Sequence, residues 1–376
     1  MRASRAVGRI RAGSLRPGGS APPPGVISLA MGEPDFPTPQ PIVAAAVAAL
    51  REGWTRYGDL NGDPELRALV AEQCGPGWTA EEVLITHGGS AGLAATILAL
   101  VDPGDSVVLL DPTYSLYADQ VHLAGGHPVR VPTRPDGHLD LDALAPALRG
   151  AKLLVLCNPG NPTGSVFTVE ELHALGELVH GTDTAVLADE AYRDLVYDGR
   201  RFVSALEVPA LRAKLVLCVT LSKTYAMTGW RIGYVVAARP LMRAISLVHR
   251  GLNASVNAAV QRAALTALRL GPDLAAPMVA AYQARRDLVV RELAAVPGLD
   301  LPVRPEGAFY VFPRYQAKIR SAELVRLLAA GGVAVRAGGE FGPAGEGHVR
   351  ISFATGEHQL TEGLRRLGEV LARCAV

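Results

Sequence analysis

Lys223 is the residue of this sequence best placed to do chemistry. It follows an apolar run at residues 214–219 (KLVLCV) that predicts a buried strand, so its amine emerges at that strand's C-terminal end. Thr220 and Ser222 precede it and Thr224 follows; eight positions on, Arg231 sits in a turn bracketed by Gly229 and Gly233. A lone lysine means little, because most are solvated surface charges. An amine beside hydroxyls and a guanidinium is what a phosphorylated aldehyde requires. The amine adds to the carbonyl, while the hydroxyls and Arg231 hold the phosphate.

Other elements must bring partners to that amine. Residues 83–86 (VLIT) predict a strand, then His87-Gly88-Gly89-Ser90, then a helix over 91–100. Free backbone N–H groups and a positive helix end there face one point, an anion site in outline. Glycines also occupy such turns for purely steric reasons. From Ser106 to Ala188, strand-like runs (SVVLLDP, HPVRVP, KLLVLCNP, TAVLADE) alternate with helical ones, the pattern of parallel strands with crossover helices. Such sheets bind ligands beyond the carboxyl ends of their strands. There stand Asp111-Pro112-Thr113-Tyr114, the turn from Asn158 to Gly164, Asp189-Glu190-Ala191-Tyr192, and Lys223.

The expected fold is therefore α/β. A large domain carries a mostly parallel open sheet flanked by helices, and a smaller α+β domain is formed by the C-terminal part and the N-terminal segment. The expected boundaries are an arm and part of the small domain at 1–34, the large domain at 35–270 and the small domain at 271–376. Within the last, residues 305–313 (PEGAFYVFP) and 348–355 (HVRISFAT) read as strands. A long helix over 273–296 carries Arg285, Arg286 and Arg291 on what reads as a solvated face. Tyr57, on a loop before a helix starting near Asp63-Pro64, reads by itself as surface packing.

With 37 basic and 36 acidic residues among 376, no broad basic field invites nucleic acid or an anionic membrane. The longest uncharged apolar run, 91–101, is about half of what a bilayer span requires. Cys74, Cys157, Cys218 and Cys374 have neither zinc-site nor disulfide-framework spacing, which predicts no metal and a reducing, cytoplasmic compartment. Five arginines precede the first acid, Glu33, in what reads as a solvated N-terminal arm without a clear amphipathic pattern.

In order along the chain, GEPDFPTP, YGDLNG, CNPGNPTG, DEAY, SKTYAMTGWRIGY and RISFAT resemble the class I/II aminotransferases of the pyridoxal-phosphate fold called fold type I. The resemblance runs from about Val26 to the last helix. It implies pyridoxal 5'-phosphate as cofactor and transfer of an amino group between an amino acid and a 2-oxo acid, by way of pyridoxamine phosphate. Lys223 matches the Schiff-base lysine, which then moves a proton between the substrate's Cα and the cofactor. Asp189 matches the partner of the pyridinium nitrogen, although alone it reads equally as a helix N-cap. Asn161 and Tyr192 match the pair on the cofactor's phenolic oxygen; Asn161 also suits a turn. Tyr114 matches the ring-stacking aromatic, and a core aromatic is the competing reading.

Gly88, Gly89 and Ser90 match the phosphate loop, completed by Thr220, Ser222 and Arg231. Tyr57 matches the residue that a partner subunit inserts there, which implies a homodimer with shared active sites. Arg350 matches the arginine that grips the substrate's α-carboxylate, with a buried structural arginine as the alternative, and Gly32 matches a backbone contact to the same group. Two departures stand out: Ala337-Gly338 replaces a Pro-Gly pair, and Ser90 replaces a lysine that reads a distal carboxylate in some relatives. Arg250 and Arg336 could each offer a second cation. The same cofactor set would equally serve a C–S β-elimination lyase, a cyclase or a racemase. A non-catalytic ligand sensor would need a DNA-binding domain or basic helix, which this sequence lacks.

Overall fold

The structure, a computed structural model, describes residues 3–16 and 24–374. After a short strand β1 (Ile27–Ser28), seven strands build one sheet: β2 (Val83–Thr86), β3 (Ser106–Asp111), β4 (His127–Pro132), β5 (Leu153–Cys157), β6 (Ala185–Asp189), β7 (Leu215–Thr220) and β8 (Gly233–Ala237). Their order is β2-β8-β7-β6-β5-β3-β4. All pairings are parallel except those of β8, which runs against both β2 and β7. The sheet is thus mostly parallel, as its alternating sequence predicts.

Strands β5, β7 and β8 are buried along their whole length, the signature of a sheet covered on both faces. Along β3 the side chains alternate between two cores: Val107 and Leu109 enter one, Val108 and Leu110 the other. The chain reverses its direction of travel across the sheet between β3 and β5. Open sheets bind ligands at such a reversal.

A third core gathers Leu29, Tyr192 and Tyr197 with residues from Ala275 to Leu371. Around it lie the short strands β9 (Leu299–Asp300), β10 (Tyr310–Val311), β11 (Arg314–Tyr315), β12 (Val333–Ala334), β13 (Arg336–Ala337) and β14 (Val349–Ser352). The N-terminal β1 pairs in parallel with β12, tying the start of the chain into this C-terminal body.

Three expectations need correction. The strand read over 305–313 shrinks to Tyr310–Val311, because the segment spends its backbone groups on loop contacts such as Glu306 and Gly307 N–H to the Gly164 carbonyl. Arg286 is not on a solvated face. It is fully buried on the helix Ala276–Ala294 and makes a two-pronged ion pair with Asp198 at 2.7 and 2.8 Å. The solvated arm is a helix, Arg5–Gly13, packed against the helix Leu116–Ala124, with Arg9 Nε donating to the His122 carbonyl at 2.8 Å.

Candidate active site

Lys223 lies on a single helical turn, Leu221–Thr224, that starts where β7 ends. The Thr220 hydroxyl caps that turn by accepting from Ser222 N–H, and it donates to the Ser222 Oγ at 2.8 Å. The cap sets the lysine's direction. Its Nζ donates to the Gly32 carbonyl at 2.6 Å and faces the Phe309 ring, 5.8 Å from the centroid. Burial lowers its pKa to about 8; Arg350 and Arg231 push the same way, against Glu33 and Asp189.

Asp189 is the last residue of β6 and is buried. Its Oδ2 accepts from the Tyr117 hydroxyl at 2.7 Å and its Oδ1 from Ala191 N–H at 3.1 Å. Burial raises its pKa to about 6 against those bonds and the nearby Lys223. It caps no helix, since only turns follow it. Tyr192 exchanges a hydrogen bond with the Tyr310 hydroxyl at 2.9 Å, and burial holds its phenol far above the ordinary value, so it keeps its proton. Tyr114 stands edge-on to Tyr117 at 5.5 Å.

Arg350, on β14, is buried and crosses to both other parts of the site. One terminal nitrogen donates to Asn161 Oδ1 at 3.0 Å and the other to the Ala30 carbonyl at 2.6 Å. Its guanidinium carbon lies over the Tyr310 and Phe341 rings, 4.2 and 5.0 Å from their centroids. Its Nε has no hydrogen-bond partner among the described residues. A buried guanidinium with donors to spare is a built anion site. Gly32 is required beside it: a Cβ there would fall 1.9 Å from the Tyr310 hydroxyl oxygen.

At the opposite end, Gly88 has φ 75° and caps the helix Gly89–Leu100. Arg231, itself left-handed at φ 55°, sets a terminal nitrogen only 2.7 Å from where a Gly88 Cβ would be. The glycine therefore serves both backbone conformation and close approach. Ser90 is exposed on the first turn of that helix, and Gly89 packs over Thr220.

One cavity of about 320 Å³ is lined by every expected site residue except Gly88 and Tyr57. Tyr57 is 95% exposed and lies in a separate hollow beside Trp54 and Gln261. The two arginines of open direction part company. Arg336 lines the cavity, paired with Glu340, whereas Arg250 is exposed and turns back to the Ser246 carbonyl of its own helix. Sequence reasoning missed Tyr117, Tyr310, Phe341 and Arg16, which also line it. Tyr117 had a signal, three positions after Tyr114 in a helical run. Arg16, whose guanidinium lies 5.8 Å from the Tyr114 ring centroid, sits in the segment read as a solvated arm.

An open α/β sheet with a lysine, a buried carboxylate and an arginine at its strand ends, faced by a buried arginine from a second body, is the architecture of the aminotransferases. Residues 24–367 match the family described as aminotransferase class I and II, and the chain belongs to it. It is an aminotransferase, an enzyme that transfers nitrogenous groups. The aspartate/prephenate aminotransferase of Thermus thermophilus is 38% identical over 369 residues, covering 93% of this chain and 91% of that protein. An arginine–pyruvate transaminase of Pseudomonas aeruginosa is 35% identical over 355 residues, 91% of this chain and 89% of its own length. The solved aromatic aminotransferase of Pyrococcus horikoshii superposes with a TM-score of 0.91 at 33% identity, covering 98% of this chain and 99% of that one.

Proposed function

We propose that this aminotransferase uses pyridoxal 5'-phosphate, held at Lys223, to move an amino group between an amino acid and a 2-oxo acid. The observation that carries the reading is the convergence in one cavity of a lysine with depressed pKa, a buried carboxylate and an arginine at a helix N-terminus. The donor set fits the group. Arg231, Ser90, Ser222, Thr220 and the backbone N–H groups at Gly89 suit a phosphate, and the fixed Asp189 suits a protonated ring nitrogen. Asn161 and Tyr192 would hold its phenolic oxygen, and Tyr114 the ring face.

When bound, the cofactor supplies an electron-withdrawing ring that stabilises negative charge at the substrate's Cα. The chain's own residues do the rest. Arg350 grips the α-carboxylate through its unused donors, with the Gly32 backbone beside it. That grip orients the Cα–H bond for proton removal and keeps the carboxylate from leaving. The Lys223 amine, partly neutral near pH 7, takes that proton and returns it, while Asp189 stays ionised against a cationic neighbour.

We infer a homodimer in which Tyr57 completes the partner's phosphate site. Its exposure supports this, as does that of Val47, Leu50, Trp54 and Leu60 nearby. The division at 1–34, 35–270 and 271–376 agrees with the C-terminal core and with the β1–β12 pair, but the helix Arg5–Gly13 rests on the sheet body. The cytoplasmic reading rests on four free cysteines; no described helix is long and apolar enough to cross a membrane.

The test is to load purified protein with pyridoxal phosphate and add single amino acids without a 2-oxo acid. Loss of the visible band and appearance of the cofactor's amine form supports transamination. Release of pyruvate and ammonia without that form would indicate elimination, and a protein that never acquires the band sinks the cofactor assignment.

A further inference from the structure

Residues 338–345 belong to the C-terminal body, yet they reach across to the end of β3 in the sheet. Thr113 N–H donates to the Phe341 carbonyl at 2.9 Å, and Ala344 N–H donates to Asp111 Oδ2 at 3.2 Å. Gly342, at φ 134°, lies directly on the same carboxylate. A Cβ there would fall 1.9 Å from Asp111 Oδ1 and 2.9 Å from an Arg130 terminal nitrogen. The approach therefore tolerates no side chain. Between these contacts Phe341 covers one face of the Arg350 guanidinium.

Asp111 is costly where it stands. It is 4% exposed, and its Oδ1 and the facing Arg130 nitrogen both lack hydrogen-bond partners among the described residues. An apolar residue would serve the end of a buried strand better. Among the described residues the one hydrogen bond its carboxylate makes is to the crossing loop, and three residues later the same strand end delivers Tyr114. We propose that Asp111 is a positioning residue for substrate binding: it pins loop 338–345 to the end of β3 and thereby holds Phe341 against Arg350. The wall behind the cofactor ring and the wall around the substrate carboxylate then share one anchor. The inference rests on Arg350 as the carboxylate grip, so its test has an arm that does not.

Hydrogen exchange of peptides spanning 338–345 is read by mass spectrometry in the full-length protein, beside steady-state kinetics with L-aspartate and with L-phenylalanine as donors. In Asp111→Ala the Ala344 amide loses its acceptor. Exchange there accelerates by about tenfold and KM rises by about tenfold, while kcat stays within about threefold. Asp111→Asn keeps an oxygen acceptor and stays near wild type on both. Gly342→Ala, which leaves Asp111 in place but displaces the loop, reproduces the Asp111→Ala pattern. Unchanged exchange in Asp111→Ala overturns the proposal, as does an unchanged KM accompanied only by a lower melting temperature. If Arg350→Ala itself leaves KM unaltered, the assignment of Arg350 fails instead, and the exchange rates still decide whether Asp111 holds the loop.

Discussion

On the sheet side of the site, each charged or polar group stands at or just past a strand end: Asp189 closes β6, Asn161 follows β5 and Lys223 follows β7. On the opposite wall, Arg350 reaches Asn161 across 189 positions of sequence and Ala30 across 320. The first wall is made by local rules, since a buried parallel strand must end and its next residues must face the crevice. The second is made by docking three distant segments. Local construction builds the side proposed to hold the cofactor. Long-range construction gives a substrate side whose shape depends on loops, and relatives named for aspartate/prephenate, arginine–pyruvate and aromatic activities share this frame.

That contrast can be broken most severely on the sheet side. Lys223→Ala removes the proposed attachment point and proton carrier, and turnover measured under saturating cofactor should fall by about 10⁴-fold or more. Asp189→Asn keeps the shape and loses the charge. A drop in kcat of about 10³-fold is expected, with the melting temperature of the cofactor-free protein not lowered, since burial already disfavours the ionised form. A carboxamide as active as the acid would show that no ring cation is held there. On the other wall, Arg350→Lys keeps a cation but not the fork, and kcat/KM should fall by about 100-fold, chiefly through KM.

Smaller effects sharpen the comparison. Tyr310→Phe strands the Tyr192 hydroxyl in a buried site and should cost about tenfold in kcat/KM. The pH response separates the walls as well. Burial lowers the Lys223 pKa to about 8, so the cation prevails below that value and the reactive amine above it. Capture of pyridoxal phosphate by cofactor-free protein should thus rise with pH and level off above about 8, falling about tenfold per unit well below it. A rate flat from pH 6 to 9 would contradict a buried amine.

The same contrast explains what the sequence disclosed. Strand alternation and glycine-bearing turns are short-range signals, so the sheet and the positions of Lys223, Asp189 and Asn161 were legible. Tyr310 and Phe341 were not. Their directions depend on how β10 and loop 338–345 meet the rest of the molecule, and their own segment says only that they are aromatic. Arg286 misled for a related reason: a helical arginine reads as solvated unless its partner is known, and Asp198 lies 88 positions away. Arg16 is the mirror case, hidden in an arginine-rich stretch with no motif to single it out.

The parallel pair of β1 with β12 bears on how the chain comes off the ribosome. Ile27 and Ser28 are made early, yet their partners Val333 and Ala334 are made near the end. Until then β1 is an unpaired edge, and the carbonyl of Ala30 waits for a guanidinium not yet synthesised. β14, which carries Arg350, is made after every strand of the seven-stranded sheet, so this guanidinium is synthesised later than Asn161, Asp189 and Lys223. The groups proposed to hold the cofactor are therefore made before the one proposed to grip the substrate.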